Sequence, residues 1–528
     1  MYKKTRRKSH KRRVGGAAAA ENGTHEKWPA PCKQNMTFDE CELAIVRAAV
    51  DELEHAQLAN KTTNGPEIAR IMEIVEEFIR KNRVILYGGA AINGILPKHA
   101  QFYDYKAGDI PDYDFFSPTA MKDAIALTDI YYAAGYKDVE AKAGVHHGTY
   151  KVYVSQIPVA DCTQQDPVIF GESWKESIVI DGMHYSSANW LRMGAYIELS
   201  RPLGDVSRYE KVVKRLALLN KYHPMEAGMD CFKMEFQRKM DEFNEADSER
   251  IFRIVRDTFI NEEVVFFGSY AVSLYGQYMP ARERKQTKKA VDFDVCSENI
   301  AKTARVVVEQ LQQNGFKSAR VVEHPALGEI LPPHNEIRIG KHETLAFIFE
   351  PAECINYNIL DGSAAAAEEG AKIRVATIDT ILRFYLAFMY TRRPYFDKNR
   401  LFCMANFLFR VQEKNRLVQK GLLKRFSLDC VGKQSTLENI RAEKAEKYKK
   451  LKGHKEDPEY YQWFLKYQPG EVAPEEHAQI LRAAAAAAAA HAVVAAPPAA
   501  AKTRRKRRKA ARRRGKWGRT LSSVGYRF

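Results

Sequence analysis

The sequence predicts an α/β (α+β) protein: two tandem copies of one module, helical additions at both ends, and disordered basic tails. Three observations carry this reading. First, Gly88, Asp112, Asp114, Ser117, Gly135 and Lys137 each have a residue of the same type 180 positions further on. Six matches at one offset mark a duplicated unit. Second, short apolar strands alternate with segments of helical periodicity. Third, 528 residues, 45% of them hydrophobic and 11% aromatic, are enough for two or three packed domains.

The elements follow in order. Residues 37–60 read as a helix that Thr37 or Asp39 can cap. Asn64-Gly65-Pro66 opens a second helix with Ile68, Ile71, Val75, Phe78 and Ile79 at apolar positions. A short strand, Val84-Ile85-Leu86-Tyr87, runs into Gly88-Gly89 and a helix beginning Ala90-Ala91. Then come Asp112-Tyr113-Asp114-Phe115-Phe116 and Ser117-Pro118, which reads as a helix cap and first turn. The second copy repeats this order through Val264–Phe267, Gly268-Ser269, Asp292-Phe293-Asp294-Val295 and a capping Ser297.

These signals divide the chain into a basic tail (1–35), N-terminal helices (36–80), a first module (81–245), a second module (246–370), a helical region (371–468) and an alanine-rich then basic tail (469–528). The last segment loses periodicity and reads as disordered.

The net charge of +17 is unevenly placed. Residues 3–13 hold 8 Lys/Arg and residues 502–519 hold 12, with no acid in either run. The rest of the chain has 63 basic against 66 acidic residues. Such tails bind polyanions by counterion release, or serve as targeting signals. No long apolar run is present, so neither a membrane span nor a signal peptide is expected. Eight scattered cysteines without a Cys-x-x-Cys pair argue against a zinc ribbon and suggest a reducing compartment.

The chemistry lies in the spaced carboxylates. Side chains at i and i+2 of a strand share a face, so Asp112 and Asp114 project together while Tyr113 and Phe115 point to the core. Paired carboxylates with a phosphate-bearing substrate suit magnesium. Two metal ions need a third acid, for which Asp161 at the end of a neighbouring strand is the candidate. In the second copy the expected trio is Asp292, Asp294 and Glu353. A lone Asp-x-Asp can equally mark a solvated strand end; the glycine pair, the third acid and the repeat decide for a site. Glycine lets the backbone approach closely, and a helix N-terminus offers N–H groups to a phosphate. Gly89-x4-Gly94 is no Walker A loop, because Ile95-Leu96 stands where Lys-Ser/Thr is needed.

Three stretches carry a resemblance: Tyr87-Gly88-Gly89-Ala90-Ala91-Ile92-Asn93, Asp112-Tyr113-Asp114-Phe115-Phe116-Ser117, and Ser200-Arg201-Pro202-Leu203-Gly204-Asp205-Val206-Ser207-Arg208-Tyr209-Glu210-Lys211. Together they resemble the polymerase-β-like nucleotidyltransferase superfamily. More narrowly, they resemble the poly(A) polymerase catalytic subunits of large nucleocytoplasmic DNA viruses: pox, asfarvirus and mimivirus-like. The resemblance covers roughly residues 37–465. It implies two tandem polymerase-β-like modules, of which the first is catalytic and the second is not.

The implied activity is template-independent addition of AMP from ATP to mRNA 3′ ends, with two Mg²⁺ or Mn²⁺ ions as cofactors and pyrophosphate released. Asp112, Asp114 and Asp161 would hold the metals. Gly88, Gly89, Arg201 and Lys211 would contact the nucleotide, and Gly268, Ser269, Asp292, Asp294 and Glu353 would form a silent second site. The implied partners are an RNA 3′ end or poly(A), ATP, a second copy in a homodimer, and a viral processivity or cap-modifying subunit. No membrane is implied. The implied location is the virion and host cytoplasm (the viral factory), with the basic tails allowing a nuclear one.

Both copies keep an acid trio, so cations must distinguish them. Arg282, Arg284, Lys285, Lys288 and Lys289 precede the second pair and can neutralise it, whereas Asp104 and Asp109 precede the first. For RNA, the mixture of Tyr390, Arg392, Arg393, Tyr395, Phe396, Lys398 and Arg400 suits a single-strand groove. His146-His147 reads as a turn. Two alternatives stand beside the polymerase: another nucleotidyltransferase, CCA-adding or acting on a small molecule, and a catalytically inactive RNA-binding scaffold of the same fold.

Overall fold

A computed structural model describes residues 36–37, 40–49, 65–103, 112–238, 240–284, 292–362, 370–415 and 417–495. Both basic tails, Lys285, Lys288 and Lys289, and Asp104 and Asp109 lie outside the described residues. Residues 40–49 form α1. Thr37 opens it with a capping box: its N–H donates to Glu40 Oε2 (2.8 Å) and its hydroxyl accepts from Glu40 N–H (3.3 Å). The described residues from Ala69 onward form one compact unit.

The first copy begins with α2 (Gly65–Lys81), whose stripe of Ile71, Met72, Val75, Phe78 and Ile79 is buried. Then come β1 (Ile85–Leu86), α3 (Gly88–Ile95), β2 (Tyr113–Ser117), α4 (Ala120–Ala133), β3 (Val139–Ala143), β4 (Thr149–Val154) and β5 (Ile157–Gln164). The copy closes with α5 (Pro167–Lys175), β6 (Ile178–Ile180), β7 (Met183–Tyr185), α6 (Ala188–Leu199) and α7 (Tyr209–Tyr222).

The second copy runs α8 (Glu245–Asn261), β8 (Val265–Phe266), α9 (Ser269–Gly276), β9 (Phe293–Cys296), α10 (Ile300–Gln313), β10 (Arg320–His324), β11 (His334–Ile339) and β12 (Glu343–Phe349). It ends with β13 (Ile355–Asp361), β14 (Lys372–Ala376) and α11 (Ile378–Phe388). The remainder is α12 (Lys398–Lys414), β15 (Cys430–Val431), α13 (Leu437–Leu451), α14 (Pro458–Phe464), β16 (Lys466–Tyr467) and α15 (Pro474–Ala495).

Two mixed sheets result. The first has the order β16-β3-β4-β5-β2-β1-β7-β6 and the second β10-β11-β12-β9-β8-β14-β13-β15. Remove one added edge strand from each, β16 and β15, and the orders match strand for strand. The parallel pairs match too: β2 with β5 and β1 with β7 in the first sheet, β9 with β12 and β8 with β14 in the second. The repeat read from the sequence is therefore a repeat of topology. α6 packs along α11, and one apolar core runs from Trp190, Met193 and Tyr196 of the first copy into the second.

Four expectations need correction. Ser117 and Ser297 do not cap the next helices; Thr119 and Asn299 take those positions. Ser117 instead ends β2, and its hydroxyl accepts from Thr119 N–H (2.8 Å) and donates to Asp123. Residues 474–495 are helical, not disordered. Alanine is the best helix former, so a run of it needs no periodic pattern to make a helix. α15 packs on α14, α4 and α5 and buries Ile480, Ala483, Ala484 and Ala487.

The remaining two concern cysteines and aromatic residues. Cys231 pairs with Cys403 and Cys354 with Cys430 as disulfides, where the reading of scattered cysteines implied free thiols. Pairs so far apart in sequence leave no spacing motif. The Tyr390–Arg400 stretch is a seam between copies and not an open groove. Tyr390 is buried and shares a hydrogen bond with the Ser187 hydroxyl (2.8 Å). Tyr395 bonds His334 (2.9 Å), and Lys398 bonds Glu172 (3.0 Å) and Glu176 (3.2 Å). Arg392 stays exposed, and the Nε of Arg393 is buried without a hydrogen bond. Among the described residues no helix is long and apolar enough to cross a membrane.

Candidate active site

β2 and β5 place the three acids. β2 alternates as expected: Tyr113, Phe115 and Ser117 are buried, and Asp114 and Phe116 face the other way. Asp112 lies one residue before the strand and is exposed. β5 runs parallel to β2 with Asp114 directly opposite Asp161, which is mid-strand and not at a strand end. β4, on the far side of β5, puts Lys151 opposite Asp161. The row therefore reads Asp114, Asp161, Lys151 across three strands, and Lys151 Nζ donates to Asp161 Oδ2.

The electrostatics of this row are unbalanced. Burial, then the charges of Asp112 and Asp161, push the Asp114 carboxyl up to about 7, against the pull of Lys151 and Arg208. Partial desolvation in the cleft, and then Asp161, also raise Asp112. Asp161 Oδ1 is buried with no hydrogen-bond partner. Among the described residues no group of three His, Cys, Asp or Glu stands gathered as a metal site; Lys151 holds part of Asp161. The donor set still fits a divalent cation. It consists of hard carboxylate oxygens, one of them orphaned, at a place where negative charge is in excess.

The glycine pair adjoins the acids. Tyr87 N–H bonds Asp114 C=O (2.9 Å), which pins the β1–α3 turn to β2. Gly88 has φ +70°, and a Cβ there would stand 2.4 Å from Asp114 Oδ2. A Cβ on Gly89 would stand 2.5 Å from the Tyr103 hydroxyl and 3.0 Å from the Arg215 guanidinium. Only glycine lets the α3 N-terminus lie between the carboxylates on one side and Arg215 on the other.

The cations come from the start of α7. Arg208, Lys211 and Arg215 recur at helical spacing and line the same cleft. Arg215 Nη2 donates to the Tyr103 hydroxyl (2.9 Å), and its guanidinium lies over Phe102. Lys211 is where the sequence reading put it. Arg208, Arg215 and Lys151 were missed; the helical spacing of the first two was the available signal. Arg201 is a correction: it ion-pairs with Glu353 of the second copy and does not line the cleft.

That cleft is a cavity of about 740 Å³. It holds Asp112, Asp114, Asp161, Gly88 and Gly89, and its lining includes Gly328, Glu329 and Ile330 from the second copy. His146 and His147 lie at its rim in the expected turn, with His147 against Trp463.

The corresponding place in the second copy is sealed. Gly268 caps α9, and a Cβ there would stand 2.5 Å from Asp294 N. Asp292 is 1% exposed and is bonded by Arg238 (3.1 Å), Arg400 (3.1 Å) and the Ser269 hydroxyl (2.6 Å). Arg238 also holds Asp294 (2.9 Å). Asp294 stands opposite Phe347, so Phe347 takes the place that Asp161 has in the first copy. Glu353 is not the third acid; it lies beyond β12 and pairs with Arg201 and Arg383. Of the expected stretch of cations, only Arg282 and Arg284 are among the described residues. Arg284 bonds Met279 C=O and Arg282 is exposed beside Glu283.

Comparison with known proteins agrees with the resemblance read from the motifs. Residues 73–205 match the family model of the poly(A) polymerase catalytic subunit. Gly88, Gly89, Asp112, Asp114 and Asp161 all fall inside that span. A putative poly(A) polymerase catalytic subunit of African swine fever virus (strain Badajoz 1971 Vero-adapted) is 32% identical over 171 residues, 31% of this chain and 35% of the relative. One from Acanthamoeba polyphaga mimivirus is 28% identical over 240 residues, 43% of this chain and 39% of the relative. The chain thus aligns with between a third and two fifths of these relatives' length. The crystal structure of the Megavirus polyadenylate synthase superposes with a TM-score of 0.68 at 18% identity, covering 87% of this chain and 92% of the other. The two share a fold.

Proposed function

We propose that the chain is a polynucleotide adenylyltransferase that adds AMP from ATP to RNA 3′ ends without a template. One observation carries this reading: an acid trio faces an open cleft in the first copy, while the same face of the second copy is closed by arginines. A scaffold has no need for the first arrangement.

The residues divide the work. Asp112, Asp114 and Asp161 would hold divalent ions, Mg²⁺ or Mn²⁺, as a pair. Such ions supply activation of the 3′-hydroxyl and neutralisation of the triphosphate. Gly88 and Gly89 open the α3 N-terminus to phosphate oxygens. Arg208, Lys211 and Arg215 meet the remaining triphosphate charge. The RNA 3′ oxygen attacks the α-phosphorus; that bond forms as the bond to the β-phosphate oxygen breaks, and pyrophosphate leaves. The hydroxyl proton passes to water in the open cleft.

The test is extension of a labelled oligo(A) RNA with Mg²⁺, offering each nucleoside triphosphate separately. Long ladders with ATP alone support the reading. Salt-sensitive RNA binding without extension by any nucleotide overturns it in favour of a scaffold.

A further inference from the structure

Part of the wall of the cleft belongs to the other copy. Leu327 and Leu331 close the β10–β11 connection with two backbone hydrogen bonds (2.9 and 3.3 Å). Gly328, at φ +53°, lies so close to α5 that a Cβ would stand 2.6 Å from Ile169 Cδ1. The tip is thereby fixed against the first copy, and Glu329 is presented to the cavity.

Glu329 is an acid with no bonded partner. Among the described residues it makes no hydrogen bond and no ion pair, and the cation that acts on it, Arg201, is committed to Glu353. Glu329 itself keeps solvent-exposed surface. The stacked rings of Tyr87 and Phe116 (3.9 Å between ring centroids) line the same cavity. Trp190 packs edge-on against Phe116 and lines the same cavity.

The cleft therefore offers two kinds of contact. Its glycines, helix N-terminus and three cations suit phosphates. A carboxylate repels phosphate, so Glu329 suits the part of the nucleotide that carries hydrogen-bond donors. Flat aromatic and apolar walls suit a base there. Resting on the adenylyltransferase reading, we propose that Glu329, supplied by the second copy, accepts the exocyclic amino group of the incoming nucleobase and sets the preference for adenine. The second copy then completes the active site without catalysing anything itself.

The experiment compares ATP with purine riboside triphosphate, which lacks only the amino group. Extension efficiency and equilibrium binding are measured on wild type, Glu329→Ala and Glu329→Gln. Wild type should prefer ATP by roughly 10- to 100-fold, as for a well-made base contact. Glu329→Ala should reduce that ratio to near one by lowering ATP alone. Glu329→Gln, which keeps an accepting oxygen, should retain most of the preference. A ratio unchanged in Glu329→Ala, or absent in wild type, overturns the inference while ATP-dependent extension by wild type leaves the parent reading intact. A loss in Glu329→Ala seen with 2′-deoxy-ATP as the discriminated nucleotide, and not with the purine analogue, assigns the acid to the ribose and overturns it too. Wild type that neither binds ATP nor extends RNA removes both readings together.

Discussion

Phe347 occupies, opposite Asp294 in the second sheet, the register position that Asp161 occupies opposite Asp114 in the first. The exchange reaches one strand further: Glu336 stands opposite Phe347 where Lys151 stands opposite Asp161. The second copy has lost the third oxygen donor and gained Arg238, whose guanidinium holds Asp292 and Asp294 and lies over the Phe347 ring. Where the first copy gathers carboxylates beside a cleft, the second has an internal salt bridge.

Arg238→Ala should destabilise the protein without creating a second active site. Removing one partner of a buried ion pair costs about 3–5 kcal/mol, because the other charges stay buried. Chemical denaturation reads the loss. Primer extension by an otherwise intact Asp112→Asn/Asp114→Asn enzyme carrying Arg238→Ala should stay at background, since Phe347 offers no ligand.

The Asp114 carboxyl gives a pH dependence of definite sign. Its folded pKa is raised from the ordinary 3.8 to about 7. Its contribution to stability is therefore full below about pH 4 and is lost as pH rises through about 7, by at most about 1.4 kcal/mol per pH unit. Melting of the metal-free protein should show this fall, Asp114→Asn should flatten it, and Mg²⁺ should restore melting temperature at pH 8 in wild type but not in Asp112→Asn/Asp114→Asn.

Gly88→Ala should be worse than an ordinary surface change. The residue has φ +70°, and the new methyl meets the Asp114 carboxylate. A strained backbone of this kind costs roughly 1–3 kcal/mol, and extension should fall far more than stability, because the displaced carboxylate is one proposed to hold the metal. Gly89→Ala should instead raise the KM for ATP, since it displaces Arg215.

Arginine position separates two roles. Arg215→Ala and Lys211→Ala should raise the KM for ATP about tenfold each, the loss of one charge-assisted phosphate contact. Arg201→Ala should leave that KM within about twofold and lower the denaturation midpoint, because it uncouples Glu353. Equal KM effects from all three would contradict the assignment.

Much of this was legible in the sequence, and the exceptions have physical causes. The carboxylate pair, the glycine turn and the duplicated topology follow from local periodicity, which a sequence displays directly. Asp161 was found because acids on neighbouring strands must converge to share a metal. Its counterpart was missed because 53 residues separate the paired positions in the second copy where 47 do in the first, so Phe347 is displaced by six from the repeat offset. Arg201 looked like a phosphate ligand because the motif holds it beside Lys211, but the end of α6 turns it toward Glu353. Glu329 and Arg238 could not be seen at all: only the fold brings Glu329 to the wall of the first copy's cleft and Arg238 to Asp292 and Asp294. α15 was hidden for the opposite reason, since a run of alanine has no polar face to mark its apolar one.

The most direct measurement of the central claim sets Asp112→Asn/Asp114→Asn beside Asp294→Asn in oligo(A) extension with ATP and Mg²⁺. The account predicts a loss of roughly a thousandfold or more in the first and an Asp294→Asn enzyme within a few-fold of wild type. Extension that survives the first variant and vanishes in the second would place the chemistry in the wrong copy.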